Sequence, residues 1–194
     1  MNPKIIAIVS APGVGKTYLS KKLSKKLNAT LIKEPKINKR ILTNLKEQKR
    51  SFETIIYFLN KGIKNIEQAH KLKKEKKIII MDTYWLSTIL HIETMLTGFE
   101  KKIIKEQTKL LQKYFLKPDI TIYLKTSELQ IKQNIKERNR NYDTNQKYLN
   151  RIYSIKNEHE KYFKINSEHI TINKQILDFS KEKDLNIIIT KINK

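Results

Sequence analysis

The sequence predicts an α/β fold, three layers deep, with a five-stranded parallel sheet and helices on both faces. Three observations predict it. Short β-rich runs alternate with longer helical stretches along the chain, the βαβ pattern of a parallel sheet. Three of the β-rich runs are nearly continuous in apolar residues, as strands buried on both faces require. No repeat, low-complexity linker or Gly/Pro-rich boundary divides the 194 residues, which hold four glycines and four prolines. Residues 1–194 therefore read as a single domain.

The elements follow in order. Strands are expected over 4–9, 29–33, 77–81 and 119–124, and a last one within 170–179. Between the first two, residues 16–27 place Leu19, Leu23 and Leu27 at every fourth position, a helical stripe that would pack on the sheet. Residues 52–75 carry a longer amphipathic pattern through Phe52, Ile55, Ile56, Leu59, Ile63 and Ile66. Residues 84–116 read as two helices broken near Thr97 and Gly98. Further helices are expected over 127–138 and 145–163, with a polar stretch between them at 139–144. Residues 184–192 fit a short helix or one more strand, and periodicity leaves both open.

Composition excludes several classes of function. The chain is 39% hydrophobic and 31% charged, enough for a packed core under a solvated surface. It has no cysteine, so disulfides, thiolate metal sites and a cysteine nucleophile are excluded. The four histidines (His70, His91, His159 and His169) show no ligand spacing. The apolar run from Ile5 to Val9 is too short to span a membrane and lacks a signal-peptide cleavage pattern. No membrane association is expected, and the expected compartment is the cytoplasm. The net charge of +22 has two readings: a nucleic-acid surface, or a bias toward Lys, Ile and Asn that runs through the whole chain. Lysines recur in every segment without an arginine-rich patch. A positive field would attract any polyanion, ATP included.

The strongest local signal is Ser10-Ala11-Pro12-Gly13-Val14-Gly15-Lys16-Thr17, followed by Tyr18. It lies between an apolar strand and a helix, the context a P-loop needs. Gly13 and Gly15 let the backbone turn so that its N–H groups point at phosphate oxygens. The new helix adds the positive end of its dipole. Lys16 is expected to reach the β- and γ-phosphates of ATP, and the Thr17 hydroxyl to ligate Mg²⁺. Ser10 replaces the usual first glycine, and Pro12 removes one possible N–H donor. Asp82 ends the apolar run 78–81 in the manner of a Walker B carboxylate and is a second candidate for holding Mg²⁺.

Beyond the loop, the order of motifs resembles the thymidylate kinase and deoxynucleoside kinase group of P-loop kinases over nearly the whole chain. Glu34-Pro35 resembles a Glu-Pro step found in both branches. Tyr57-Phe58-Leu59-Asn60-Lys61 is similar to a Phe-x-x-Asn-Arg segment of thymidylate kinases whose arginine binds the acceptor. The run 82–88 resembles an Asp-Arg-Tyr-Trp-x-Ser-Thr segment, with Thr83 in place of the arginine. The run 118–124 resembles the fourth strand shared by both branches. Glu137-Arg138-Asn139-Arg140 resembles the start of an arginine-bearing lid, expected here at about 138–147, and 148–153 resembles the helix that follows it. The resemblance implies an ATP-dependent phosphotransferase with Mg²⁺. A thymidylate-type monophosphate is the leading acceptor and a deoxynucleoside the alternative. By analogy alone, it also implies a homodimer.

Chemistry separates the acceptors. A 5′-hydroxyl is a poor nucleophile and calls for a general base, for which Glu34 is the candidate. A monophosphate is already ionised and needs cations instead, which gives weight to Lys61, Arg138 and Arg140. The i, i+2 spacing of those arginines keeps them off one helical face, so a loop starting near Asn139 would be needed to turn both toward ATP. The resemblance further implies that Phe52, Tyr57 and Phe58 line the acceptor pocket, with Tyr84 and Trp85 following the Asp82 strand edge. Stacking on a base and ordinary core packing are both open to them. The rival from another class is a P-loop enzyme acting on nucleic acid.

Overall fold

The computed structural model describes residues 2–114, 117–138, 145–166 and 168–193. The elements run β1 (Ile5–Val9), α1 (Lys16–Lys26), β2 (Thr30–Ile32), α2 (Lys39–Glu47), α3 (Ser51–Lys74), β3 (Ile79–Met81), α4 (Trp85–Met95), α5 (Gly98–Tyr114), β4 (Ile120–Lys125), α6 (Glu128–Arg138), α7 (Gln146–Ile165), β5 (Ile170–Asn173) and α8 (Glu182–Asn193). The five strands form one sheet in the order β2-β3-β1-β4-β5, with every pair parallel. Both neighbours of β1 are distant in sequence. The chain therefore reverses direction of winding at β1, and a crevice opens at its carboxyl end.

Register places the chemistry. Ala7 pairs with Met81, so Asp82 emerges beside the last turn of β1 as that strand runs into the loop at Ser10. All five residues of β1 are fully buried, which explains the unbroken apolar run. Alternation then divides them between two cores. Ile5, Ala7 and Val9 pack with residues of α3, α4 and α5, among them Ile55, Leu59, Trp85, Leu90 and Ile104. Ile6 and Ile8 pack with Leu19, Leu23, Ile131, Ile135, Leu185 and Ile188 on the opposite face. The three-layer arrangement follows from this period of two.

The structure decides the ambiguous end in favour of a helix. In α8, Leu185, Ile188 and Ile192 are buried at spacings of three and four. The pattern reading missed α2. That helix begins at Asn38, whose side chain accepts from the Ile41 N–H at 2.8 Å, an N-cap that lets a short segment hold against α3. Among the described residues, no helix is long and apolar enough to cross a membrane.

Candidate active site

The turn between β1 and α1 is built to present backbone. Gly13 sits at φ +81° and Gly15 at φ +106°. A Cβ on Gly13 would come within 2.9 Å of Ile135 Cγ1, so both backbone angle and space require glycine there. Ala11 and Val14 are buried, which turns these two side chains of the loop inward. Ser10, in the place of the usual glycine, is buried, and its hydroxyl donates to the Leu124 carbonyl at 2.7 Å, tying the loop to the end of β4. From α6, Asn134 donates to the Gly13 carbonyl at 2.7 Å. Gly15 is the N-cap of α1 without a side-chain cap, and the first turn carries no acidic residue. The leading amides of α1 thus have no side-chain acceptor, and the site suits an anion.

Lys16 folds back across this turn, donating to the carbonyls of Ser10 and Ala11 at 3.0 Å each. Burial depresses its pKa. The charges of Glu34 and Asp82 act in the opposite sense, and Arg138 adds to the depression. Thr17 and Tyr18 are exposed beside it on the cavity wall. Asp82 is almost wholly buried, and its Oδ1 has no hydrogen-bond partner among the described residues. The next residue, Thr83, lies at φ +108°. A β-branched side chain there stores on the order of 1–3 kcal/mol of strain, located where the chain leaves β3 at the cavity.

A cavity of about 640 Å³ begins at Pro12, Gly13 and Gly15 and continues between α2, α3, α4 and α7. Glu34 and Pro35 stand at its wall, as do Tyr84 and Trp85. Tyr84 is buried edge-on to Trp85, with ring centroids 5.4 Å apart, and burial pushes its hydroxyl pKa upward. From α3 the lining side chains are Thr54, Ile55, Phe58 and Asn65, together with Gly62. The spacing 54, 58, 62, 65 marks one helical face. Gly62 permits it, since a Cβ at that position would lie 2.8 Å from Trp85 Cβ.

Three expected acceptor contacts lie off that face. Phe52 packs against the core cluster. The Tyr57 hydroxyl donates to the Lys36 carbonyl at 2.6 Å. Lys61 is exposed, its ammonium 5.8 Å from the Tyr57 ring centroid. None of the three lines the cavity. The physical reason is register: residues 57 and 61 stand one position, about 100° around the helix, from 58 and 62.

Ser87, on α4, carries a buried polar joint beneath the loop. The His159 Nδ1 contacts the Ile155 carbonyl at 2.8 Å, so that nitrogen carries the proton. Its Nε2, 3.2 Å from Ser87 Oγ, then accepts from the hydroxyl. His91 Nδ1 likewise donates to the Ser87 carbonyl, and the two imidazoles meet edge to face at 5.8 Å. Burial lowers both, His159 to about 3 and His91 to about 4, with Lys16 adding to each depression. Both rings are neutral near pH 7.

Arg138, at the end of α6, lines the cavity together with Arg151 and Tyr148 of α7, and burial depresses Arg151. Arg140 and residues 139–144 of the expected lid lie outside the described residues. The pattern reading missed Thr54, Asn65, His91, Arg151 and Lys174, all of which border the cavity. Of these, only Arg151 lies within a motif that carries the family resemblance, the run 148–153.

A glycine-bent loop at a helix N-terminus, a lysine across it, a buried carboxylate beside it and an adjoining chamber define a P-loop phosphotransferase. The model of the thymidylate kinase family matches residues 12–183. The chain belongs to that family and is a nucleoside or nucleotide kinase. Among solved structures it is similar to deoxyadenosine kinase from M. mycoides with bound dATP, at 24% identity and a TM-score of 0.82, covering 98% of this chain and 100% of that one. It is also similar to the M. mycoides enzyme with the products dCMP and dCDP, at 24% identity and a TM-score of 0.79, covering 97% and 98%. With dCTP bound, the same enzyme matches at 23% identity and a TM-score of 0.76, over 97% and 98%. At these identities the likeness shows the fold. Among curated proteins none matches the chain.

Proposed function

We propose that the chain transfers the γ-phosphoryl group of ATP to the 5′-hydroxyl of a deoxynucleoside. The observation that carries this reading is the contrast between Glu34 and Lys61. Glu34 stands on the cavity wall within the field of Lys16, whereas Lys61, the residue matched to the acceptor-binding arginine of thymidylate kinases, lies outside the cavity. The solved neighbours hold deoxynucleotides in the same fold, which supports a deoxynucleoside here.

In this reading the loop amides and Lys16 hold the donor phosphates. The Glu34 carboxylate takes the proton of the 5′-hydroxyl as that oxygen bonds to the γ-phosphorus, and the bond from that phosphorus to the β,γ-bridging oxygen breaks to release ADP. Arg138 balances the charge spread over the transferred group, and Phe58 offers its face to the base. Thr17 and Asp82 are the residues that would hold Mg²⁺. The unpartnered, buried Asp82 Oδ1 fits that role. Among the described residues, no cluster of three or more His, Asp or Glu forms an all-protein cage, and Mg²⁺ sites commonly combine one or two carboxylates with substrate phosphates. When bound, the ion neutralises charge on the β- and γ-phosphates.

A thymidylate-type monophosphate is the second reading. Arg151 favours it, as a desolvated guanidinium on the chamber wall. We read the chain as one domain closed by a lid at about 138–147, working in the cytoplasm. A homodimer remains an expectation by analogy, and nucleic acid a rival acceptor.

The test is transfer from radiolabelled ATP to a panel of deoxynucleosides, monophosphates and oligonucleotides, with Lys16→Ala as the inactive control. Deoxynucleosides should be labelled, and Glu34→Gln should lower kcat by about 10²–10⁴ while leaving the KM for ATP in place. Labelling of monophosphates alone would move the assignment to the second reading. Labelling of oligonucleotides alone would end both.

A further inference from the structure

We infer that Lys174, at the carboxyl end of β5, is a second ammonium ligand for the phosphate chain of the donor nucleotide. The inference rests on the P-loop reading above and adds a residue that the loop motif does not contain.

The backbone fixes the position. The Lys174 N–H donates to the Lys125 carbonyl at 2.9 Å, holding the residue to the end of β4. From there the side chain reaches the phosphate loop. Its Nζ lies 3.3 Å, and its Cε 3.8 Å, from the point a Cβ on Gly15 would occupy. Gly15 is the N-cap of α1, so the ammonium stands at the uncapped, positive end of that helix. Lys174 lines the same cavity as Lys16 and Arg138.

This is an unfavourable place for a cation in the absence of a ligand. The helix dipole repels it, and burial depresses its pKa. Glu137 and Asp178 attract it through space, yet among the described residues Nζ forms neither a hydrogen bond nor an ion pair. Lys16 and Arg138 line the same cavity, where Glu34 and Asp82 oppose the charge of Lys16 and Glu137 that of Lys174. A triphosphate at the helix N-terminus would give the desolvated Lys174 ammonium an acceptor, and it carries enough non-bridging oxygens for Lys16 and Arg138 as well. Lysine supplies a point charge with three donors, which suits phosphate oxygens. The proximity to Gly15, within the amide cradle, assigns it to the phosphates rather than to the adenine.

The experiment measures equilibrium binding of ATP, inorganic tripolyphosphate and adenosine to the full chain, comparing wild type with Lys174→Met and Lys174→Arg. Melting curves confirm folding. Loss of one charge-assisted contact should weaken ATP and tripolyphosphate binding about tenfold or more in Lys174→Met. Adenosine binding and the KM of the acceptor should stay unchanged, and Lys174→Arg should recover most of the loss. Equal tripolyphosphate affinity in wild type and Lys174→Met would overturn the inference and leave the P-loop reading intact. A defect confined to adenosine would overturn it in favour of a base contact. Wild-type protein that binds neither ATP nor tripolyphosphate would overturn both the inference and the reading beneath it.

Discussion

The two ends of the cavity are made in different ways. The end we assign to the donor is made of backbone. Eight consecutive residues turn on Gly13 and Gly15, bury Ala11 and Val14, and lead into α1 without a side-chain cap. At the end we assign to the acceptor, residues of α2, α3, α4 and α7 converge from four separate stretches of sequence. A local backbone device tolerates almost no change in its glycines but permits change around them, as Ser10 demonstrates by trading a glycine for a hydrogen bond to Leu124. A chamber of side chains can be altered one contact at a time.

The contrast can be broken most strongly at Gly13. Gly13→Ala combines a residue at φ +81° with a 2.9 Å approach to the buried Ile135, for a combined cost of roughly 2–4 kcal/mol. Chemical denaturation should show that loss together with a failure of ATP binding. A stable variant that binds ATP normally would mean that the loop relaxes as the acceptor end does. A smaller effect is expected at Phe58, where Phe58→Ala removes a stacking face valued at about 1–3 kcal/mol. The acceptor KM should rise roughly tenfold or more while the ATP KM holds. Lys61→Ala, one position around the helix, should change neither by more than about twofold, and a reversed ranking of the two variants would restore the expected register of α3.

A buried joint links the two ends. Ser87 contacts His159, and its carbonyl accepts from His91. His159 is fully buried, with a folded pKa of about 3 against an ordinary 6.5. Its contribution to stability is complete above pH 6.5. Below that the unfolded chain takes up a proton that the folded chain refuses, so about 1.4 kcal/mol is lost per pH unit until about pH 3. His91 adds a similar slope down to about pH 4. Stability measured from pH 7 to pH 5 should fall accordingly, and His159→Gln should flatten the curve. An unchanged slope in that variant would show that the joint is not what titrates.

The same contrast explains what could be read from sequence. The sheet, the loop and Asp82 were legible because each depends on contiguous residues: β1 is one apolar run, and the loop follows it without a gap. The acceptor wall was not. The apolar stripe of α3 correctly marks Ile55, Leu59 and Ile66 as core. The cavity face, however, is set by how closely α3 approaches Trp85 through Gly62, a tertiary fact that periodicity does not carry. This is why Phe58 lines the cavity as expected, while Tyr57 and Lys61 face away from it. His91, Arg151 and Lys174 each occur as single polar residues on otherwise ordinary elements, and only the packing of α4, α7 and β5 around the loop gathers them. Helix α2 was missed because its cap at Asn38 and its nine residues form too short a pattern to stand out among lysines.

The central claim is tested most directly by a crystal structure with a bisubstrate analogue, a deoxynucleoside joined through its 5′-oxygen to an adenosine polyphosphate. The account predicts phosphates held by the amides of residues 13–17, the deoxynucleoside ring beside Phe58, and Lys61 still in solvent. Phosphates bound away from that turn, or a nucleoside seated outside the chamber between α3 and α4, would contradict it.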